Sequence, residues 1–428
     1  MSILMEEIYP GCFRAEVAPG ISVLAESIPG VHSVALGIWV GAGSREDPKG
    51  KEGLAHLTEH MVFKGTERRT ATQISQEIDS LGGNLNGATS AEYTVYHSSV
   101  LADGIGVALD VLADLVTAPR FAAEDLELER AVALEEIREA EDSPEDVALR
   151  LLDEALWGRD HPLGKPILGW RETVSGLTRD DLRAFFQDHY RKGRVAVVGC
   201  GALEPRSFVE RVRDLLDDAR PESEPPRREV PVFRGRRLTV ERPIQQVHIA
   251  LGFPTVPAGS RERAGVEVLN TILGGSLSSR LFQRVREERG LAYSIFSFTR
   301  YYTDAGYLGI YAAAQGDKAR EILGIIAAEL RDLARKLPSP EELERAKRRV
   351  RGVFLLGLES PGGRMTRLGW LASLGLPIRS PDEVLGELEA VDGGMIRDLA
   401  RRYLDPGRAA MALVGPKGES LERLSRWN

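Results

Sequence analysis

The sequence has little cysteine and no long apolar run. Its only cysteines, Cys12 and Cys200, form neither a metal-binding spacing nor a disulfide framework, which is typical of a reducing compartment. No segment reaches the roughly 20 consecutive apolar residues that a membrane helix needs. Residues 1–13 lack the basic stretch followed by an apolar stretch that marks a signal peptide. We therefore expect a cytoplasmic protein that has no membrane partner.

The chain also has fewer basic residues than acidic residues, 56 against 64. The formal net charge is -8, whereas binding to phosphate backbones requires a basic field, so nucleic acid is not expected as a partner. Hydrophobic residues make up 43% and charged residues 28%, which is the composition of a soluble globular protein. The chain has 428 residues, more than one hydrophobic core usually holds, so we expect at least two domains.

The chain contains an internal repeat with a spacing of about 215 residues. Three segments recur in the same order: VALGIWVGAGSRE (Val34–Glu46) as IALGFPTVPAGSRE (Ile249–Glu262), LERA (Leu128–Ala131) as LERA (Leu343–Ala346), and YRKGRVAVVG (Tyr190–Gly199) as YLDPGRAAMALVG (Tyr403–Gly415). Three matches that share one spacing indicate a duplicated unit.

A linker separates the two copies. Residues 220–235, RPESEPPRREVPVFRG, are rich in proline and charge. They divide the chain into domains at residues 1–219 and 236–428. Each half opens with strand-like sequence, such as Val34–Val40, and continues with helical periodicity, at Ala123–Ala140 and Glu341–Leu356. The predicted fold class is α+β, with two homologous domains.

The segment HLTEH (His56–His60) predicts a metal site. If Leu54–Phe63 is a helix closed by Gly65, His56 and His60 lie one turn apart on one face and can bind one zinc ion. Glu59 lies between them and cannot comfortably be a ligand, so it is placed to take a proton from water that the metal activates. A catalytic zinc needs a third protein ligand as well.

The acidic stretch Glu127–Asp142 could supply that third ligand. On a helix, Glu129 and Glu136 are seven residues apart and share a face, whereas Glu135 points elsewhere. The repeat sets the chemical residues apart, because the counterparts of His56, Glu59, His60 and Glu136 in the second half are Thr271, Gly274, Gly275 and Arg351. The alternative is a chance match on a charged helix whose carboxylates are simply solvated.

These residues resemble the inverted-motif zinc peptidases of the pitrilysin or M16 family, in particular the M16B bacterial peptidases of mitochondrial-processing-peptidase type. HLTEHMVFKGT (His56–Thr66) is similar to the family's signature helix, and ERAVALEEI (Glu129–Ile137) is similar to its downstream segment. The resemblance implies one Zn²⁺ per chain, held by His56, His60 and Glu136. It also implies that Glu59 is the catalytic base and that Glu129 supports the site from behind the ligands.

Two other segments extend the resemblance. GGNLNGATSAEYT (Gly82–Thr94) is similar to an edge strand on which the family lays substrate backbone, so substrate binding is implied for Asn86, Gly87, Ala88 and Thr89. Gly87 stands where the family often has alanine. An ordinary edge strand is the alternative.

GGSLSSRLFQRVREERGLAYSIFS (Gly274–Ser297), in the second half, is similar to the family's glycine-rich segment and its Arg-x6-Tyr pair. The resemblance implies catalytic roles for Arg286 and Tyr293, which would hold substrate carbonyls and the developing oxyanion. The alternative places Arg286 in a charged helix and Tyr293 half-buried on a strand. His161, in HPLGKPILG, also lies in a family-like segment, but we interpret it as structural.

The resemblance implies a zinc endopeptidase that cleaves short or unfolded peptides inside an enclosed chamber. This chain would form half of the clamshell. Because one chain carries both the zinc set and the Arg286/Tyr293 pair, we expect a homodimer in which each zinc is completed by the other chain, although a heterodimer with a related chain is possible. The alternatives are a non-catalytic scaffold or peptide-binding subunit of the same fold, and a zinc hydrolase that acts on a non-peptide amide.

Overall fold

The computed structural model describes residues 3–216 and 228–417, together with residues 421, 423, 424 and 426. Its strands are β1 (Met5–Tyr9), β2 (Cys12–Ala18), β3 (Ile21–Ser27), β4 (Ser33–Val40), β5 (Asn84–Thr89), β6 (Thr94–Leu101), β7 (Val195–Gly201), β8 (Arg237–Glu241), β9 (Gln246–Thr255), β10 (Ala292–Tyr301), β11 (Gly306–Gln315) and β12 (Ala410–Gly415).

Helices alternate with these strands in blocks. They are α1 (Leu54–Val62), α2 (Ala71–Ser80), α3 (Ile105–Thr117), α4 (Ala123–Asp142), α5 (Pro144–Trp157), α6 (Arg171–Ser175), α7 (Arg179–Phe186), α8 (Pro205–Leu216), α9 (Arg263–Leu273), α10 (Ala319–Arg335), α11 (Pro340–Gly357), α12 (Pro361–Ser373), α13 (Pro381–Glu389) and α14 (Gly393–Tyr403). The predicted strand at Val34–Val40 and the three predicted helices are present as β4, α1, α4 and α11. The α+β class is therefore confirmed.

The described chain forms two compact units. The first unit takes its residues from 1–138, 166–228 and 355–380, and the second from 139–165, 229–354 and 381–428. In the first unit the strand order is β1-β2-β3-β7-β4-β6-β5, so β5 lies at one edge of the sheet. Strands β3 and β7 are parallel, and the other neighbours are antiparallel.

The second unit repeats five adjacent strands of this sheet, from β3 to the edge strand β5. Its order is β10-β11-β9-β12-β8, which matches β5-β6-β4-β7-β3 strand for strand. The parallel pair is again the one at the equivalent position, β12 with β8. Identical strand order and direction in both units support the duplication inferred from the sequence.

Alternate side chains of β4 pack on opposite faces of the first sheet. Val34, Leu36 and Ile38 join a core that is shared with α1, α3 and α8, whereas Trp39 faces α12. A Cβ atom on Gly369 of α12 would lie 2.2 Å from the Trp39 ring, so only glycine allows this approach. Helix α12 thus covers the second face of the first sheet.

The two units do not follow the predicted division at residues 1–219 and 236–428. Residues 139–165 belong to the second unit, where α5 packs on β9 and β12, and residues 355–380 belong to the first. Each sheet is buried on both faces only because a helix from the other half of the sequence covers it. In the predicted linker, residues 220–227 lie outside the described residues, and 228–235 form neither helix nor strand.

Within the described ranges, no helix combines the length and the apolar character that crossing a bilayer would require.

Candidate metal centre

Helix α1 presents both histidines from the interior of the first unit. It starts after Gly53, which has a φ of 94°, a left-handed conformation that favours glycine. The Asp47 carboxylate accepts the backbone N–H groups of Gly53 and Ala55 at 2.8 Å each, which stabilises the N-terminal end of the helix. Leu57 and Met61 are fully buried, and the same packing fixes the direction of the His56 and His60 side chains.

Helix α4 brings carboxylates to these histidines. Leu126, Ala133 and Ile137 are buried in the core of the first unit, which fixes the face that carries Glu129 and Glu136. Glu129 is buried, whereas the Glu136 side chain keeps 39% of its surface exposed. Glu135 is exposed and pairs with Arg138, as expected for a carboxylate that points away from the site.

Three ligand atoms converge between α1 and α4. The Nε2 atoms of His56 and His60 are 3.2 Å apart, and Oε2 of Glu136 lies 3.3 Å from the first and 3.6 Å from the second. Ligands bound tetrahedrally at about 2.0–2.2 Å from one zinc ion would be separated by about 3.3–3.6 Å. These residues therefore fit a metal ion, and they are the one such cluster found among the described residues.

The hydrogen-bonding state of the cluster agrees with that fit. Among the described residues, Oε2 of Glu136 and Nδ1 of His56 are buried and have no hydrogen-bond partner. Burial, and after it the charge of His60, lowers the pKa of His56 to about 4, so its imidazole is neutral at physiological pH. A neutral imidazole is the form that binds a metal.

Glu129 orients His60 from the far side of the ring. Its Oε2 is 3.0 Å from Nδ1 of His60, so an Nδ1–H donor to this carboxylate leaves the Nε2 lone pair facing the cluster. The other oxygen of Glu129 accepts from Nζ of Lys64 at 2.6 Å. Lys64 was not predicted from the sequence, although its position four residues after His60 could have indicated a contact near the same carboxylate.

Glu59 lies beside the cluster and is nearly buried. Burial raises the pKa of its carboxyl, and the charge of Glu136 adds to this. The charge of His60 and a hydrogen bond from Thr89 act in the opposite direction. A carboxylate with a raised pKa holds an accepted proton better than an exposed one does, which suits a general base.

The four edge-strand residues all lie on β5. This strand pairs with β6 on one side and has no partner strand on its other side among the described residues. Its side chains alternate, with Asn86 and Ala88 exposed and Gly87 and Thr89 partly buried toward α1. The free edge is where an extended peptide could add as a further strand.

Arg286 and Tyr293 belong to the second unit and contact each other there. Arg286 lies in the π-helical turn Phe282–Glu287, and its guanidinium carbon is 4.8 Å from the centre of the Tyr293 ring. Tyr293, on β10, is 81% exposed, so the alternative that left it half-buried is wrong. The phenol is available for contact with another molecule.

His161 has an internal structural contact. Its Nδ1 accepts the backbone N–H of Leu163 at 3.1 Å and so caps the short helical turn Pro162–Gly164. This agrees with its interpretation as a structural residue.

Comparison with known proteins assigns the family. Residues 22–170 match the family described as insulinase (peptidase family M16), and residues 176–350 match the family described as the peptidase M16 inactive domain. The chain is 37% identical over 399 residues to the uncharacterised zinc protease YmxG of Bacillus subtilis, covering 93% of this chain and 97% of that protein. The chain belongs to peptidase family M16.

An uncharacterised zinc protease of Mycobacterium tuberculosis is also similar to this M16 chain, with 39% identity over 412 residues, covering 95% of the chain and 93% of the relative. Two crystal structures share its fold. A peptidase M16 inactive domain from Pseudomonas fluorescens has a TM-score of 0.87 at 22% identity and covers 98% of this chain and 99% of its own. A protease from Helicobacter pylori has a TM-score of 0.88 at 19% identity, and the match covers 95% of this chain and 100% of that protease.

Proposed function

We propose that this M16 chain is a zinc-dependent endopeptidase of the M16B type, with one Zn²⁺ held by His56, His60 and Glu136. The observation that carries the proposal is the convergence of three ligand atoms at 3.2–3.6 Å beside the buried carboxylate of Glu59. The relatives named zinc proteases in Bacillus subtilis and Mycobacterium tuberculosis support the choice of metal and of reaction.

The residues divide the chemistry of peptide hydrolysis. A zinc ion at this centre would polarise the scissile carbonyl and lower the pKa of the attacking water. Glu59 accepts the proton of that water and later delivers it to the leaving amine. Glu129 holds His60 through Nδ1, so that the ring cannot turn its other nitrogen away from the cluster.

The Glu59→Gln variant tests this function. Because Glu59 is a base and not a ligand in the proposal, the variant should keep the zinc content of the parent protein and lose cleavage of a quenched peptide. Glu135→Gln is the matched control, since this carboxylate is exposed and pairs with Arg138. Full activity in Glu59→Gln would contradict the mechanism. A parent protein that cleaves no peptide would favour the scaffold or peptide-binding subunit instead.

Short or unfolded peptides are the proposed substrates. An extended segment that adds to the free edge of β5 would be held by main-chain hydrogen bonds, which tolerate many side chains. Asn86 and Ala88, exposed on this strand, would contact the substrate. Folded proteins cannot offer such a segment, so they should resist cleavage unless they are first unfolded.

We further propose a homodimer that encloses a chamber, in which each metal centre is completed by Arg286 and Tyr293 of the other chain. The exposed Tyr293 hydroxyl could donate to the developing oxyanion. Mixing Glu59→Gln chains with Tyr293→Phe chains tests this. Random pairing would restore about a quarter of the parental activity, because half of the dimers would contain one intact centre. Absence of recovery in mixtures shown to exchange subunits would contradict shared centres.

A further inference from the structure

The edge strand β5 lies directly against the carboxylate of Glu59. Its side chains alternate between exposed and partly buried, as the period of a strand requires. Leu85, Gly87 and Thr89 are the partly buried set, and Leu85 packs against the core of the first unit. The strand therefore presents Gly87 and Thr89 to α1, while Asn86 and Ala88 project from the other face.

Thr89 donates a hydrogen bond to Glu59. Its Oγ1 lies 3.1 Å from Oε2 of the carboxylate, in a place where Glu59 is only 9% exposed. Among the described residues, Thr89 is the hydrogen-bond partner recorded for the Glu59 side chain. This donor favours the side-chain rotamer that keeps the bond, since moving the carboxylate away from Thr89 would break the hydrogen bond in a nearly buried place.

Gly87 lies close to the other oxygen of the same carboxylate. A Cβ atom at this position would lie 2.7 Å from Oε1 of Glu59 and 2.8 Å from the Phe63 ring. Phe63 has little room to move, because its ring packs on Tyr96 at a centroid distance of 5.6 Å and Tyr96 is fully buried. The hydroxyl of Tyr96 is in turn 2.7 Å from that of Tyr190, which anchors the stack.

We propose that Thr89 is a positioning residue for Glu59, because its hydrogen bond fixes the orientation of the carboxylate. This rests on the proposed role of Glu59 as the base. It changes the assignment of one of the four edge-strand residues, since Thr89 would act through Glu59 while Asn86 and Ala88 would face substrate. The strand that receives the peptide thereby also holds the base in a fixed relation to it.

Thr89→Val and Thr89→Ser form the decisive pair of variants. Valine keeps the shape but removes the donor, so kcat should fall by about tenfold or more, while KM stays within about twofold and zinc content is unchanged. Serine keeps the donor and should restore kcat to within about threefold of the parent. Thr117→Val is the control for loss of a hydroxyl, because the Thr117 hydroxyl donates to the carbonyl of Ala113 in its own helix.

Two outcomes of this pair would overturn the proposal. Equal losses in the valine and serine variants would show that the hydroxyl is not the cause. A raised KM with unchanged kcat would make Thr89 a substrate contact. Affinity for a labelled peptide, measured in the Glu59→Gln background, gives a second view: adding Thr89→Val should leave it unchanged, and a loss of affinity would count against positioning.

A crystal structure of zinc-loaded Thr89→Val supplies a readout that does not depend on turnover. The Glu59 carboxylate should leave its parental rotamer or occupy two, and an unchanged single rotamer would overturn the proposal. If the parent protein shows no peptidase activity, the proposed function fails, whereas the rotamer of Glu59 still decides whether Thr89 positions it.

Discussion

The two units share five strands in the same order and differ where the proposed metal site lies. In the first unit α1 continues through His60 to Val62. In the second unit the corresponding helix, α9, ends at Leu273, one residue before the counterpart of Glu59. Gly274 then turns the chain against β10, where a Cβ atom would lie 2.7 Å from the backbone nitrogen of Ser297. The positions that correspond to Glu59 and His60 are therefore Gly274 and Gly275, which lie beyond the end of the helix.

The same two elements are joined by different means in the two units. In the first, His60, Glu129 and the proposed metal connect α1 to α4. In the second, Arg280 follows α9 and binds both oxygens of Glu342 on α11 at 2.7 Å. Arg280 also reaches Asp332 at 3.0 Å and the fully buried Glu329 at 3.5 Å on α10. In the second unit, ion pairs therefore link the segment after α9 to α11. In the first unit, the proposed metal and its ligands would link α1 to α4.

The largest expected effect is on the unit that holds the proposed metal centre. Glu136→Gln replaces a charged ligand by a neutral amide, so zinc affinity should fall by more than the roughly 10- to 100-fold that a partner behind the ligands costs. Peptidase activity should fall with it at limiting zinc. Competition with a chromophoric chelator measures the affinity, and Glu135→Gln is the control. Unchanged affinity would remove Glu136 from the ligand set.

The second expected effect is on the ion pairs of the other unit. Arg280→Met leaves Glu329 with Arg284 as its one remaining cation among the described residues, and should lower the free energy of unfolding by about 2–3 kcal/mol at pH 7.5. Burial already raises the pKa of Glu329, and losing Arg280 raises it further. Stability from a raised carboxyl pKa is present at low pH and is lost as pH rises through the folded pKa, so the penalty should shrink toward pH 5.

Urea unfolding at the two pH values measures this effect. Arg289→Met is the control, because Arg289 pairs with Glu321 at an exposed position and should change stability by under about 0.5 kcal/mol. Zinc content should stay at the parental level in both variants. A loss of zinc in Arg280→Met would show that the metal centre depends on the ion pairs of the second unit.

A smaller effect is expected at Lys64. Lys64→Met removes the cation that holds Glu129 and should weaken zinc binding by about tenfold or less, since Glu129 can still accept from His60. Lys192→Met, a change to a surface lysine paired with Asp188, is the control. An affinity loss as large as that of Glu136→Gln would mean that Lys64 does more than orient Glu129.

The smallest effect concerns a buried imidazole in the second unit. Burial lowers the pKa of His248, whose Nδ1 lies 2.7 Å from the Tyr311 hydroxyl. The folded state thus binds fewer protons than the unfolded state below about pH 6.5, and the stability this gives is lost as pH falls through the folded pKa. His248→Gln should flatten the decrease in unfolding free energy between pH 7.5 and 5, which urea unfolding at both pH values measures.

Local pattern in the sequence predicted the parts of the site that lie on single elements. Helical spacing places His56 and His60 on one face and separates Glu136 from Glu135, and the structure has both arrangements. The edge position of β5 was likewise expected from the resemblance. The two helical arrangements depend on the period of one helix, which neighbouring residues determine. The edge position came from the resemblance and not from a local pattern.

Contacts between distant segments could not be predicted in the same way. The hydrogen bond from Thr89 to Glu59 depends on the register of β5 against β6 and on how α1 packs over that edge. The exposure of Tyr293 follows from its side of β10, which the sequence LAYSIFS does not determine because apolar and polar residues do not alternate strictly. The assignment of α5 and α12 to units depends on which sheet face lacks cover.

The positions of α5 and α12 mean that neither half of the sequence encodes a complete unit. A polypeptide that stopped at residue 219 would leave Trp39 and its neighbours on the first sheet without α12. A polypeptide that began at residue 236 would leave β9 and β12 without α5. Cleavage between the repeats would therefore yield two fragments with bare apolar faces, each able to be completed only by the other. The boundary between the two repeats in the sequence therefore does not coincide with a boundary between the two folded units.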